Sequence, residues 1–277
     1  MKPRTVAVGL AIIVFLSLLY WPTVRWLVHS WLSNPYYSHG FLIPLVSGFI
    51  VWTKRNELKK KREPSLFGAV VLGLGVLLYV MGSLWDARFL NAVSLLIVIS
   101  GLCLFLLGVR PTQAISFALG FLLFMIPFPF IQDVGFSLQT ISVRSSSWLL
   151  QNIGLPVITE GSQIHLKDTV FTIGLPCSGI NMLVALLALA AVYTYLLEGS
   201  LFKRVLLFST SLPIAILFNI LRISFIVVIA YYFNVESATG LLHDLSSPLF
   251  FLLAFLFLAL LGRILGCRLS FATYGGK

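Results

Sequence analysis

Residues Val205–Tyr232, VLLFSTSLPIAILFNILRISFIVVIAYY, contain one charged side chain, Arg222. A helix that crosses the hydrocarbon of a bilayer needs about 20 predominantly apolar residues. This run exceeds that length and has no soluble counterpart short of a large buried core. Working outward, seven further apolar runs fall near 6–28, 37–53, 66–84, 90–109, 113–131, 178–197 and 247–265, with the first one placed at 205–232 between the last two. The chain of 277 residues is 59% hydrophobic and 10% charged, with a mean hydropathy of +1.01. An ordinary soluble domain carries roughly 25% charged residues, so lipid must solvate much of this surface. The expected fold is all-α: a polytopic bundle of about eight spans forming a single integral membrane domain over 1–277.

The charge pattern orients the bundle. Lys54-Arg55-Asn56-Glu57-Leu58-Lys59-Lys60-Lys61-Arg62-Glu63 is a short basic loop, and such loops stay in the cytoplasm. With that loop inside, Lys2, Arg4, Arg110, Lys203, Arg204, Arg263, Arg268 and Lys277 are inside as well, which makes 14 of the 19 Lys and Arg residues. Both termini are then cytoplasmic. The net charge of +10 is thereby a topology signal; the basic residues form no aromatic-interleaved stripe, and no nucleic acid is expected as a partner. The amino terminus begins basic and then apolar, yet no small-x-small cleavage site precedes Trp21-Pro22, so it reads as a retained span.

This orientation leaves short outer loops near 29–36, 85–89 and 233–246 and one long extracytoplasmic segment, 132–176. Within it, 134–151 predicts an amphipathic helix with Phe136, Leu138, Ile141, Trp148 and Leu149 as apolar members, suited to the membrane interface. Gly154 and Pro156 end it. Residues 157–174 are rich in β-branched side chains, with turn chemistry at Glu160-Gly161-Ser162 and Lys167-Asp168-Thr169, and predict a small hairpin. The outer aromatics Trp26, Trp31, Tyr36 and Tyr37 read as an interfacial belt.

Three polar groups interrupt the apolar pattern at this outer level. In Leu175-Pro176-Cys177-Ser178-Gly179-Ile180-Asn181, Ser178 is a plausible N-cap, which puts the Cys177 thiol at the first turn of a helix. The positive end of the helix dipole favours a thiolate there; the plain alternative is a small buried hydrophobe. Arg222 costs at least about 2.5 kcal/mol inside a span and marks a functional site by default. Eighteen residues separate it from Arg204, roughly 27 Å of helix against a core of about 30 Å, so it falls near the outer face with Cys177. A snorkelling arginine is the competing reading; Asn219, three residues earlier on the same face, and a kink expected at Pro213 favour an inward site.

His243 lies in Leu242-His243-Asp244-Leu245-Ser246-Ser247-Pro248 before the last span. A neutral imidazole there can take a thiol proton and return it to a leaving group. His29, His39 and His165 fall on the same side, and His39 in Tyr37-Ser38-His39-Gly40 is the rival base. Cys177 as nucleophile, His243 as proton shuttle and Arg222 as oxyanion stabiliser form a coherent division of labour. Cys103 and Cys267 lie away from this level, no metal-type CxxC pair occurs, and neither a metal nor a cofactor is expected.

These motifs resemble the exosortase/archaeosortase family of membrane-embedded cysteine transpeptidases. Cys177-Ser178-Gly179-Ile180-Asn181 is similar to its Cys-Ser-Gly motif, Asn219-Ile220-Leu221-Arg222 to its Asn-x-x-Arg motif, and His243 to the later histidine of the bacterial branch. Tyr37-Ser38-His39-Gly40-Phe41-Leu42-Ile43-Pro44 looks like the early signature. The likeness runs from about 35 to 265. It departs at Leu175-Pro176, where members often carry an acidic or small residue, and after His243, where bacterial members often have a glycine.

The resemblance implies a sorting enzyme of the bacterial cytoplasmic membrane with catalytic residues Cys177, Arg222 and His243, supported by Asn219, Ser178 and His39. Its partners would be exported proteins ending in a short motif (Pro-Glu-Pro in the PEP-CTERM type), one spanning helix and a basic cluster. Cleavage would pass through a thioester resolved by an acceptor, among which a polysaccharide or lipid is included. Hydrolysis without transfer, a transporter using Arg222 to bind anions, and a non-catalytic envelope or export scaffold are the competing functions. The transporter lacks support from repeat symmetry or paired broken helices.

Overall fold

The computed structural model describes residues 11–12, 14–59, 63, 65–166, 169–233 and 241–269. It divides into two compact units, 1–129 and 130–277.

In the first unit, α1 (Trp21–Ser33) leads through a 3-10 segment, Pro35–Phe41, into α2 (Leu42–Thr53). Then α3 (Leu66–Leu84) and α4 (Arg88–Leu107) form a hairpin, both long and apolar enough to span a membrane. Glycine makes that hairpin close. Gly68, Gly75 and Gly82 recur every seventh residue and are all buried. A Cβ on each would run into Phe105 and Leu104, Val98, and Asn91 respectively, at 2.3 to 2.7 Å for the first and second and 2.2 Å for the third. With no hydrophobic drive between helices in lipid, such small faces let backbones approach and gain dispersion contact. The hairpin turns in three residues. Asp86 adopts φ 49°, and Ala87 N–H donates to the Gly82 carbonyl at 2.7 Å, which closes α3 with a Schellman motif.

The sequence expectation of a span over 113–131 needs correction. Val109–Ala114 and Ser116–Phe121 are short helices, followed by a 3-10 turn over Leu122–Met125. Ile126 is extended at φ −87°, ψ 123° because Pro127 follows it, and the residue before proline is pushed out of the helical region. Trp31 Nε1 donates to the Met125 carbonyl at 2.8 Å and the Phe128 N–H donates to Tyr37 Oη at 2.7 Å. The first pairs a carbonyl that no continuous helix could serve, because residue 129 is a proline without an N–H, and the second pairs an N–H that a helix would have given to residue 124.

In the second unit, α5 (Ile131–Asn152) is followed by a three-stranded antiparallel sheet, β1 (Ile158–Glu160), β2 (Gln163–Leu166) and β3 (Thr169–Thr172). The expected hairpin thus gains a strand; its turn at Lys167-Asp168 lies outside the described residues. The register pairs Ile164 with Phe171, and these two enter a core with Val143, Leu150, Val157, Ile173, Ile223, Ile226 and Val227. The amphipathic helix is present, with Phe136, Ile141 and Trp148 exposed as an interfacial face demands and Leu138 turned inward. Its other face is built of Gly135, Ser142, Ser146 and Ser147, small residues that bring it close to its neighbours. Gln139 donates to the Ile173 carbonyl, Gln151 to the Val157 carbonyl at 2.9 Å, and Thr159 Oγ1 to Ser147 Oγ at 2.6 Å. These bonds fasten the sheet to α5.

The unit continues with α6 (Ile180–Leu196), α7 (Leu201–Tyr232) and α8 (Leu241–Ile264), α7 packing on both others and on α5. Arg204 near the start of α7 donates from Nε to the Thr194 carbonyl at 2.8 Å, pairing a carbonyl left over at the end of α6. At 32 residues α7 is about 48 Å long, against about 30 Å of hydrocarbon. The sheet and α5 cover part of the excess: Ile223, Ile226 and Val227 lie in their core. α7 continues unbroken through Pro213. Two further strands, β4 (Leu197–Glu198) and β5 (Arg268–Leu269), pair antiparallel.

Four helices among the described residues are long and apolar enough to span: α3, α4, α7 and Asp244–Ile264 of α8. Of the other expected spans, α6 has 17 residues and α2 has 12.

Candidate active site

Leu175–Cys177 forms a 3-10 turn between β3 and α6. Gly174, at φ −69° and ψ 165°, is extended and lets the chain turn off the strand. The N-cap of α6 is Gly179 and not Ser178 as the sequence suggested; its φ is +94°. Two facts require glycine there. The backbone is left-handed, and a Cβ would stand 2.7 Å from Asn219 Cγ and Nδ2. Ser178 still serves the helix start, because its Oγ accepts from the Ile180 N–H at 3.4 Å.

The buried stripe of α7 runs Leu207, Ser211, Ile214, Ala215, Asn219, Arg222, Ile223, Ile226. Its spacing of three and four puts Asn219 and Arg222 on one inward face. Arg222 is 6% exposed and Asn219 is 1% exposed, so the snorkelling alternative is excluded by burial. Arg222 Nη2 donates to the Cys177 carbonyl oxygen at 3.3 Å, and Nη1 donates to Ser247 Oγ on α8. The guanidinium also lies within hydrogen-bonding reach of the Cys177 side chain. Asn219 does not orient the guanidinium. Its Nδ2 donates instead to Ser142 Oγ at 3.0 Å and to the same Cys177 carbonyl at 3.4 Å.

α5 completes the cradle. Ser142 Oγ donates to the Ser178 carbonyl at 3.3 Å, and Ser146 Oγ to the Ile220 carbonyl at 3.1 Å. Cys177 is half-buried and in no disulfide. Two cavities flank Arg222. One of about 160 Å³ holds Cys177 with Phe171, Thr172, Ile173, Ile223 and Ile226. The other, about 230 Å³, is lined by Gly179, Asn181, Met182, Asn219, Ser247, Pro248 and Phe251. Arg222 lines both. Arg222 Nε, Asn181 Oδ1 and Asn219 Oδ1 are buried and make no hydrogen bond. Buried polar atoms are nearly always paired, so three unpaired ones around one guanidinium set this region apart from an ordinary core.

A cysteine and an arginine far apart in sequence therefore meet at one cavity, in the order of the motifs read above. The model of the transmembrane exosortase (Exosortase_EpsH) family matches residues 31–260. The chain belongs to that family. No curated protein and no solved structure matches it. Exosortases as a family are membrane proteins that act on exported protein substrates, and the helices long enough to span support a multi-pass membrane placement here.

The remaining candidates of this exosortase-family chain stand as follows. Position 243 lies in the first turn of α8, one turn before Ser247; the His243 side chain lies outside the described residues. His39 sits in the 3-10 segment of the first unit, half-buried, with Nε2 making no hydrogen bond. His165 on β2 faces Glu160, Nε2 to Oε2 at 3.5 Å, and His29 is exposed on α1. Sequence reasoning missed Ser247 and Ser142 as site residues. The available signal was a serine at the start of an apolar run for Ser247 and a serine on the inner face of the amphipathic helix for Ser142, since a buried hydroxyl needs a partner. Among the described residues no cluster of three His, Cys, Asp or Glu side chains could hold a metal ion.

Proposed function

We propose that this chain is a cysteine transpeptidase that removes the carboxy-terminal membrane tail of exported proteins of the PEP-CTERM type. The observation that carries this reading is the Arg222–Cys177 contact at the wall of two cavities. An arginine buried to 6% exposure is costly and persists where its charge is used.

In the proposed reaction the Cys177 thiol gives its proton to His243, and the sulfur attacks the scissile carbonyl carbon. The tetrahedral oxyanion forms beside Arg222, whose Nε–H is unspent while the two Nη groups anchor it. Anchored donors need no reorganisation as charge develops, which is the main source of such stabilisation. The C–N bond then breaks, and His243 returns its proton to the departing amine of the tail. The chain remains on Cys177 as a thioester. An acceptor amine attacks that carbonyl, loses its proton to His243, and the C–S bond breaks to restore the thiol. Water in place of the amine gives hydrolysis with the same proton transfers. Ser247, reached by Arg222, supports the assignment of His243: positions 243 and 247 are one turn apart on α8 and share a face. The cytoplasmic membrane of a bacterium, with the site outside, is the placement that the basic 54–63 loop favours.

The test is mass spectrometry of the purified protein incubated with a tail-bearing peptide. A covalent adduct on Cys177, equal in mass to the peptide portion before the cut and released by hydroxylamine, is expected. Cleaved peptide with Cys177 never modified, even after acid quenching within a turnover, contradicts the thioester route.

A further inference from the structure

A third cavity, of about 680 Å³, lies in the first unit between the start of α1 and the α3–α4 turn. Arg25, His29 and Trp26 of α1, with Asp86, Arg88 and Asn91 beside the turn, carry its chemistry. We propose that it binds the phosphate group of a membrane lipid.

Three observations support this. First, Arg25 and Arg88 make no ion pair among the described residues. Two unpaired guanidiniums at one cavity leave planar donor forks suited to a phosphate. Asp86 offsets one charge, so the three side chains sum to the single positive charge that a phosphodiester anion neutralises. Second, the level is that of lipid headgroups. Two spans of 19 and 20 residues end and begin at this turn, so the turn is at a membrane surface whichever way the chain faces. Exposed Trp21 and Trp85 flank it, the side chains that collect at that depth. Third, topology gives these arginines no other task. The orientation implied by the 54–63 loop puts Arg25 and Arg88 among the few basic residues outside, where the positive-inside bias does not call for them. The cavity volume is within the ordinary range for ligand sites, about 300–1,000 Å³.

The experiment is native mass spectrometry of the full chain in detergent, titrated with phosphatidylglycerol or with glucosyl diacylglycerol, which has no phosphate. Arg25→Gln with Arg88→Gln is expected to weaken phosphatidylglycerol binding by at least about tenfold, the scale of losing charge-assisted hydrogen bonds. The glucosyl lipid should bind wild type and variant alike. Both arginines are exposed, so the variant should fold. Asp86→Asn is a second probe: asparagine tolerates the same positive φ, and removing the carboxylate should tighten phosphatidylglycerol binding. Three results would overturn the proposal. They are unaltered phosphatidylglycerol binding in the double variant, weaker binding in Asp86→Asn, and displacement of the lipid by an equal concentration of inorganic phosphate, which would make a soluble phosphate the ligand.

Discussion

Arg222 Nη2 donates to the carbonyl oxygen of Cys177 at 3.3 Å across 45 residues of sequence. The bond does two things at once. It anchors one arm of a buried cation whose other arm is held by Ser247, and it fixes the backbone from which the thiol projects. Replacing Arg222 by lysine keeps a charge but loses the planar fork that reaches both Ser247 and Cys177. Arg222→Lys is expected to cut tail processing by at least about 100-fold, the scale of removing one oxyanion donor. The check is the initial rate of substrate shortening at matched protein abundance; a rate near wild type would remove the oxyanion role.

Ser247 holds the other Nη group. Ser247→Ala leaves that donor facing a cavity, and hydrogen bonds to charged groups contribute about 1.5–3 kcal/mol. Processing should fall by roughly 10- to 100-fold with little change in the amount of folded protein. Ser247→Thr, which keeps the hydroxyl, should recover most of the rate.

Gly179 carries a purely structural prediction. Its φ of +94° and the 2.7 Å approach to Asn219 mean that Gly179→Ala strains the backbone by about 1–2 kcal/mol and displaces Asn219 as well. The melting temperature in detergent should drop, and processing with it. Gly48→Ala has open space around its Cβ and should leave both unchanged.

The α3–α4 hairpin tests differently. Gly75→Leu would drive a side chain into Val98, already 2.7 Å from a bare Cβ. Overpacking of this kind costs about 1–3 kcal/mol or more, so the variant should show lower abundance and a lower melting temperature than Gly73→Leu, where nothing lies within 4 Å.

What the sequence made legible follows from physical rules with long reach. Charge is so costly in lipid that Arg222 announced itself, and counting residues from Arg204 put it at the level of Cys177. The amphipathic helix was legible from the period of Phe136, Ile141 and Trp148. Other features depend on partners distant in sequence. Nothing near Asn219 says that its Nδ2 will take Ser142 and the Cys177 carbonyl instead of serving Arg222. Ser247 stands in the sequence only as a serine at the start of the last apolar run, and its role comes from α8 packing on α7. The break over 113–131 is legible in Pro127 and Pro129, which bar a continuous helix however apolar the run. The seven-residue spacing of Gly68, Gly75 and Gly82 was also available, and small residues hide in a reading that scores apolarity alone.

The central claim is that Cys177 does the chemistry. The most direct measurement is the size of a tagged, tail-bearing substrate co-expressed with wild type or with Cys177→Ala, both at equal abundance in the membrane. The account predicts a shortened product with wild type and only the full-length substrate with Cys177→Ala. The same shortened product from both would contradict it, and would leave Arg222 and its cavities to the binding of an anion in transit.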